Sequence, residues 1–407
     1  MSLSRRQVYR RRRIAFFGVL AVALAFVAYL TSTGLAPVSS TAATLAEPPA
    51  LTQAAALPAW PDQGAGAIGA VGFDGVLASS GEQGAVPIAS ITKMVTALVI
   101  LESKPLTGDD PGPDIEFTDA DVDIYYDAIA ENGSVAPVVS GMVLSQREAF
   151  ETMLIPSANN YSVSLAVWAF GSVDAYLAAA ADFLAANGLT GTTVADTSGL
   201  SAQSMSSPAD LVAIGKLVMA DPVLASIVAM PTAEIPTVGT VTNTNKLLGV
   251  DGVEGIKTGT TDEAGACLLF AVDVPVGDSS VTLVGVVLGG DTHSELNESI
   301  LGLVDSVEPG FRTVTLVEAG TPFGTYTTPW GQSGQAVAET SASTVVWSDT
   351  PITSTVDVTA VTLGEKGDSV GSLDVTVGSD TVTVPLVLDQ TITDPGPFWR
   401  WTHPGEV

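Results

Sequence analysis

The sequence is poor in the side chains from which many reactive centres are built. Its 407 residues include one cysteine, Cys267, and two histidines, His293 and His403. A lone cysteine excludes an internal disulfide and any cysteine-rich metal cluster. Two histidines leave little material for a zinc site or a Ser-His-Asp triad, so no metal or other cofactor is expected. Positive charge is scarce beyond the amino terminus. Of the fifteen Lys and Arg residues, six are Arg5, Arg6, Arg10, Arg11, Arg12 and Arg13. The nine that follow face forty-four acids, a net of −35 after Arg13. A body so acidic repels polyphosphate, which argues against a nucleic-acid partner. The acidity reads as a soluble, self-repelling surface.

Apolar residues are plentiful, at 46% of the chain. That supplies buried cores and argues against disorder, and the length fits two domains plus extras. Ile14 to Leu30 runs seventeen residues without a charge, directly after the six arginines. Its length lies between a signal-peptide core and a spanning helix. An uncleaved anchor is favoured, because the cleavage candidate Ser40-Thr41-Ala42 is poor. The arginines then stay in the cytoplasm, which gives a single-pass cell-membrane protein with its folded part outside; cleavage would give a secreted one. The expected organisation is a basic tail over 1–13, an anchor over 14–32, and an Ala/Pro-rich tether over 33–60. A catalytic domain over 61–310 and a β-rich domain over 311–407 follow.

Within 61–310, the runs 67–73 and 75–78 read as paired strands about a turn at Asp74-Gly75. Ile91, Val95, Leu98 and Val99 recur at helical spacing, with Ser90 at the helix start and Lys93 one turn on. Ser145-Gln146-Arg147-Glu148 is a capping-box pattern, and Pro156 ends the helix it opens. Ser157-Ala158-Asn159 is left on the turn or loop beyond. Helices are predicted over 173–186, 208–219 and 295–307, and strands over 255–258, 267–272 and 281–288. Helices enclosed between early and late strands imply one sheet assembled from both ends of the domain, an α/β (α+β) fold. Beyond 311, six Val/Thr-rich alternating runs separated by Gly, Asp and Pro imply a small all-β domain without a catalytic motif.

Three short motifs carry the chemistry. A serine hydroxyl needs a base within hydrogen-bond reach to become a nucleophile. Among six lysines, Lys93 alone has a serine three positions before it, Ser90. A lysine serves as base once desolvation or a cationic neighbour lowers its pKa, and Lys257 is the candidate neighbour. Ser157 is the one serine followed two positions later by asparagine, Asn159. Lys257-Thr258-Gly259, with Thr260, sits on a glycine-flanked strand. Each motif is weak alone, and their order is what makes the case. Ser90 then attacks a carbonyl, Lys93 takes its proton, Ser157 relays a proton to the leaving amine, and Asn159 orients the substrate amide. The N–H groups of Ser90 and Thr260 are candidates for the oxyanion hole, and Gly259 keeps the strand edge bare for an added strand. His293 reads as a loop residue with no role.

These residues resemble those of the serine-type D-alanyl-D-alanine carboxypeptidases, the low-molecular-mass penicillin-binding proteins of peptidase family S11. The likeness extends from Pro87-Ile88-Ala89-Ser90-Ile91-Thr92-Lys93 through Asp196-Thr197-Ser198-Gly199-Leu200. It continues with Asn243-Thr244-Asn245 and Gly255-Ile256-Lys257-Thr258-Gly259-Thr260, and covers about residues 62–310. The resemblance implies an antiparallel sheet flanked by helices beside a helical subdomain, with the cleft between them. It implies removal of the terminal D-alanine of peptidoglycan stem peptides through an acyl-enzyme on Ser90, with β-lactam antibiotics as covalent inhibitors. Lys93 is then the base, Ser157 and Asn159 the second motif, and Lys257, Thr258, Gly259 and Thr260 the third. Alternatives of the same fold are a DD-endopeptidase and a non-catalytic peptidoglycan-binding protein. A β-lactamase ranks lower, since Gly188 to Val194 offers no carboxylate to activate water. Two departures stand out. No arginine follows Gly289-Gly290, where members of the family keep one for the substrate carboxylate. Phe398-Trp399-Arg400-Trp401 stands where an amphipathic carboxy-terminal helix is usual; packing is favoured there over a membrane contact.

Overall fold

The structure, a computed structural model, describes residues 4–407. The chain gathers into two compact units: Ala55–Arg312, and Thr313–Val407 together with the chain up to Ala54.

The first unit is built on a five-stranded antiparallel sheet. Its order is Val253–Thr261, Gly265–Val276, Ser279–Gly290, Ala65–Ala70 and Ala78–Ser80. The first strand to be made thus lies beside the last, with Val286 opposite Ala67 and Gly285 opposite Ile68. Successive side chains of a strand point to opposite faces. Leu269, Ala271, Val284 and Val286 join the main core, against which the helix Pro208–Ala220 packs. Each such buried side chain contributes roughly 1.5–3 kcal/mol. The alternate residues Leu268, Phe270, Leu283 and Val287 are buried as well, so both faces of the sheet are covered. The helix His293–Val307 packs on the same two strands.

The helical part holds Thr92–Ser103, Gln146–Leu154, Asn159–Phe170 and Val173–Ala186. Thr92–Ser103 is buried on every side from Thr92 to Leu101. Ser145 caps Gln146–Leu154 reciprocally with Glu148, as its sequence pattern implies. Several boundaries differ from the sequence reading. The first strand is Ala65–Ala70, and the chain has already turned by Gly72, where φ is +83°. Ser90 lies on a 3-10 turn, Ala89–Ile91, just before the helix. Asn159 is the first residue of a helix and not part of a loop. The central strands run several residues beyond 267–272 and 281–288, because their hairpin turns only at Gly277-Asp278.

In the second unit, a six-stranded sheet has the order Thr44–Leu45, Pro322–Thr327, Ser333–Ala338, Asp380–Leu388, Ser369–Val377 and Ile352–Val358. Its core includes Tyr326, Leu373, Val375 and Leu386. The stretch expected as a tether over 33–60 is partly structured. Thr44 pairs with Thr325 and Leu45 with Gly324, Thr41 bridges Val361, and Ala46 N donates to Phe323 O at 2.9 Å. An open edge strand accepts such an extended segment whatever its side chains, since the bonds are backbone bonds. Ahead of it, Arg5–Gly34 is one helix begun by a capping box between Ser4 and Gln7. Its most apolar window has a mean hydropathy of 2.4, and it is long and apolar enough to cross a membrane.

Candidate active site

The nucleophile candidate is held by a strained turn. Ala89, immediately before Ser90, has φ 47°, and Ser157 has φ 65°. Such left-handed positions cost non-glycine residues roughly 1–3 kcal/mol and persist only where the surroundings over-determine them. The surroundings here are close. Gly199, at φ +80°, presses on the turn so tightly that a β-carbon there would fall 1.7 Å from Ala89 O. A β-carbon on Gly259 would meet Ile88 O at 2.8 Å and Ser90 N at 3.3 Å. Both glycines therefore permit backbone to approach the Ser90 segment. For Gly259 this is a reason beyond the bare strand edge expected from sequence.

Lys93 lies at the centre and is wholly buried. Its Nζ is 2.9 Å from Ser90 Oγ, 2.7 Å from Asn159 Oδ1, 3.2 Å from Ser198 O and 3.5 Å from Ser157 Oγ. Burial pushes its pKa well below the ordinary lysine value, the positive charge of Lys257 adds to that, and the Asp196 carboxylate opposes it. The neutral amine is thereby accessible. The sequence expectation that Ser90, Lys93, Ser157 and Asn159 meet is realised in one cluster.

Lys257 sits on the edge strand, 2% exposed. Burial lowers its pKa to about 7. Its one hydrogen bond among the described residues runs to Thr258 O at 3.1 Å and not to Ser157, which lies instead within reach of Lys93. Thr258 Oγ1 is 2.6 Å from Thr244 Oγ1, on a loop whose Asn245 amide donates to Gly255 O at 3.1 Å. Thr244 N donates in turn to Ile155 O, so this loop ties the Lys257 strand to the segment leading into Ser157.

Sequence reasoning missed two participants. One is the Ser198 carbonyl, an acceptor for Lys93 that no residue type announces. It is presented by a loop wound around Asp196, whose carboxylate accepts from Gly199 N, Leu200 N, Ser201 N and the hydroxyls of Ser198 and Ser204. A cluster of Ser and Gly after an Asp is the signal available for such a turn. The other is His293, to which the sequence reading gave no role. Its Nε2 is 2.6 Å from Thr260 Oγ1. Burial and the nearby Lys257 charge lower its pKa, so it is chiefly neutral at pH 7. A cleft of about 710 Å³ opens beside this edge, lined by Thr260, Thr261, Asp196 and Leu200.

Known proteins are similar to this chain. A family model described as D-alanyl-D-alanine carboxypeptidase matches residues 72–292, more than half of the chain. A D-alanyl-D-alanine endopeptidase of Pseudomonas aeruginosa is 30% identical over 202 residues, which are 46% of this chain. The chain spans about 60% of that relative's length. Among solved structures, a peptidoglycan synthesis regulatory factor from Streptococcus pneumoniae superposes with a TM-score of 0.61 at 19% identity. That superposition covers 83% of this chain and 100% of the other. Penicillin binding protein 5 from Haemophilus influenzae gives 0.58 at 18% identity, covering 82% and 99%. These two likenesses establish the fold, a penicillin-binding-protein fold of mixed helix and antiparallel sheet. By its sequence match across the cluster just described, the chain belongs to the D-alanyl-D-alanine carboxypeptidase family, the S11 peptidases.

Proposed function

We propose that the protein is a D-alanyl-D-alanine carboxypeptidase acting on peptidoglycan stem peptides through an ester on Ser90. The observation that carries this is the set of partners around Lys93 Nζ. A neutral amine has two N–H donors and one lone pair. Asn159 Oδ1 and Ser198 O only accept, so they take the two N–H bonds. The lone pair is left for the Ser90 hydroxyl, 2.9 Å away. As Ser90 Oγ bonds to the substrate carbonyl carbon, its proton passes to Lys93 and the carbonyl electron pair moves onto oxygen. The N–H groups of Ser90 and Thr260 are the candidate donors for that oxyanion. The C–N bond then breaks, and the departing amine takes a proton by way of Ser157 Oγ. Water attacks the ester carbon next, its proton passing to Lys93; the bond from that carbon to Ser90 Oγ then breaks, and Lys93 returns the proton to Oγ as the shortened peptide leaves. Asn159 Nδ2 remains free to hold the substrate amide while Oδ1 engages Lys93. Lys257, Thr258 and Thr260 supply the charge and hydroxyls for a terminal carboxylate, and Gly259 keeps the wall between them and Ser90 thin. A β-lactam opened by the same attack keeps its leaving nitrogen tethered, so the adduct persists and the compound inhibits.

The arginines before Ile14 favour a cytoplasmic amino end, with both folded units outside the membrane. One observation favours a second reading, a DD-endopeptidase that cuts cross-links. The stretch Asp291 to Leu296 after Gly289-Gly290 carries His293 and no arginine, and a largely neutral imidazole grips a free carboxylate weakly. The experiment is mass spectrometry of the purified chain after penicillin, combined with assay of D-alanine release from a pentapeptide. One adduct on Ser90, absent in Ser90→Ala, with release of D-alanine, supports the carboxypeptidase. The same adduct with cleavage of cross-linked dimers alone supports the endopeptidase. No adduct and no cleavage of either substrate would leave a non-catalytic binding protein.

A further inference from the structure

His293 reaches the candidate site through the sheet. Thr260 on the edge strand pairs with Ala266, and Ala266 pairs with Gly290, so the ends of these strands lie in one row. The chain turns away from that row at Gly289, where φ is +75°, and begins the helix His293–Val307 shortly after. His293 Nε2 then meets Thr260 Oγ1 at 2.6 Å. The other ring nitrogen has no protein partner among the described residues, so nothing on that side fixes the tautomer. Thr260 is exposed and lines the cleft of about 710 Å³, whereas Thr258 already shares its hydroxyl with Thr244.

A threonine hydroxyl carries one proton. When Nε2 is bare, Thr260 gives that proton to the ring and turns only lone pairs to the cleft. When Nε2 carries hydrogen, it donates to Oγ1, and the threonine proton is free to point outward. A neutral imidazole permits both arrangements; an imidazolium, with hydrogen on both nitrogens, permits the second alone. The imidazolium also brings positive charge to a cleft lined by Glu131, Asp196, Asp262 and Glu263, carboxylates that repel an anionic terminus. Burial, then the Lys257 charge, holds the His293 pKa below the ordinary 6.5, so the ring gains its proton only in acid. On its own helix, Glu295 accepts from Thr292 Oγ1 at 2.9 Å and lines, with Asp291 and Asp62, a separate cavity of about 210 Å³. The strands under the helix add Cys267, whose thiol burial pushes up to about 11, and Asp273, which lies opposite Thr282 farther along the hairpin.

We propose that His293 is a specificity-determining residue. Its protonation turns the Thr260 hydroxyl outward as a donor and admits substrates that end in a free carboxylate, while the neutral ring favours termini without one. This deepens the proposed function and rests on Ser90 being acylated, and the test separates the two.

Benzylpenicillin and its methyl ester differ only in a free carboxylate. Acylation of Ser90 in the full chain by each is timed by mass spectrometry between pH 8 and pH 5. The ratio of the two rates is taken, so that titration of Lys93 and Ser90 cancels. Lys257 gains charge over the same range and raises the ratio in parent and variants alike. His293→Gln keeps a polar side chain and takes up no proton. Relative to it, the parent ratio is expected to rise about tenfold further on acidification, the worth of one charge-assisted hydrogen bond. His293→Arg should hold the ratio high at both ends of the range, and Thr260→Val should cut the parent's further rise to about twofold or less. If His293→Gln follows the parent within about twofold, or Thr260→Val keeps the whole rise, the role of His293 is refuted and Ser90 acylation stands. If neither compound acylates Ser90, both fail.

Discussion

The two units bury different kinds of side chain. Among the described residues, nineteen buried polar or charged side chains fall within Ala55–Arg312 and three in the β-rich unit. The first unit is less than twice the length of the second, so size does not account for the difference. Its excess includes Lys93, Lys257, Ser157 and Asn159, with Thr96 and Thr197, which are bonded to each other. Burying polar groups costs stability unless each is bonded, and buried lysines cost most. The β-rich unit buries few such groups: Leu373, Val375, Val384 and Leu386 fill its core by alternation along their strands. Chemistry and mere stability are thus housed apart, and substitutions in the two places should fail differently.

The sharpest break of that contrast is Lys93→Met. It keeps the bulk and removes the proposed base, so acylation by penicillin should fall by about 10²–10⁴, the usual share of a general base. The rate is measured by stopped-time mass spectrometry. A rate within threefold of the parent would show that Lys93 is only a buried structural residue. Gly259→Ala should have a smaller effect. Its added carbon meets Ile88 O and Ser90 N, so the strand and the nucleophile turn must separate by several tenths of an ångström. Acylation is expected to fall about ten- to hundredfold, as a misplacement of that order does. In the β-rich unit, Leu373→Ala is expected to cost about 2–5 kcal/mol of stability in urea melts. The folded fraction should acylate at the parental rate. A loss of rate there would erase the division of labour.

The same contrast sets what could be read in the sequence. The helix Val173–Ala186 and the alternating strands of the β-rich unit were legible because one face is wet and the other dry, which leaves a period in the sequence. Asn159–Phe170 was not. Its first turns are buried among other helices, with Asn160, Ser162 and Ser164 inside, so it shows no polar face to count. Asp119–Ala130 was missed for the opposite reason: only Ala128 is fully buried along it. The Thr44–Leu45 strand is too short for any pattern and is held by backbone alone. In the candidate site, Ser90 and Lys93 were legible because a lysine one turn from a serine leaves a spacing. Ser198 was not, because it contributes a carbonyl that every residue possesses. His293 comes to Thr260 from 33 positions away through the packing of a helix on the sheet, and no local signal carries that.

The smallest expected effect concerns the cost of the buried lysines and is read through pH. Lys257 titrates near 7 when folded and near the ordinary lysine value, 10.5, when unfolded. Between those values the unfolded chain binds more protons than the folded one, so unfolding becomes harder as pH rises. For one such group the slope approaches about 1.4 kcal/mol per pH unit. Lys93, shifted in the same direction, adds to it. The catalytic unit should therefore gain stability from pH 7.5 to 9.5 in urea melts, until other groups begin to titrate. Lys257→Met should remove one proton's share of that gain, whereas Leu373→Ala lowers the whole curve without changing its slope. A slope untouched by Lys257→Met would mean that this lysine stays protonated in the fold. Its charge would then have to be met by something other than the Thr258 carbonyl.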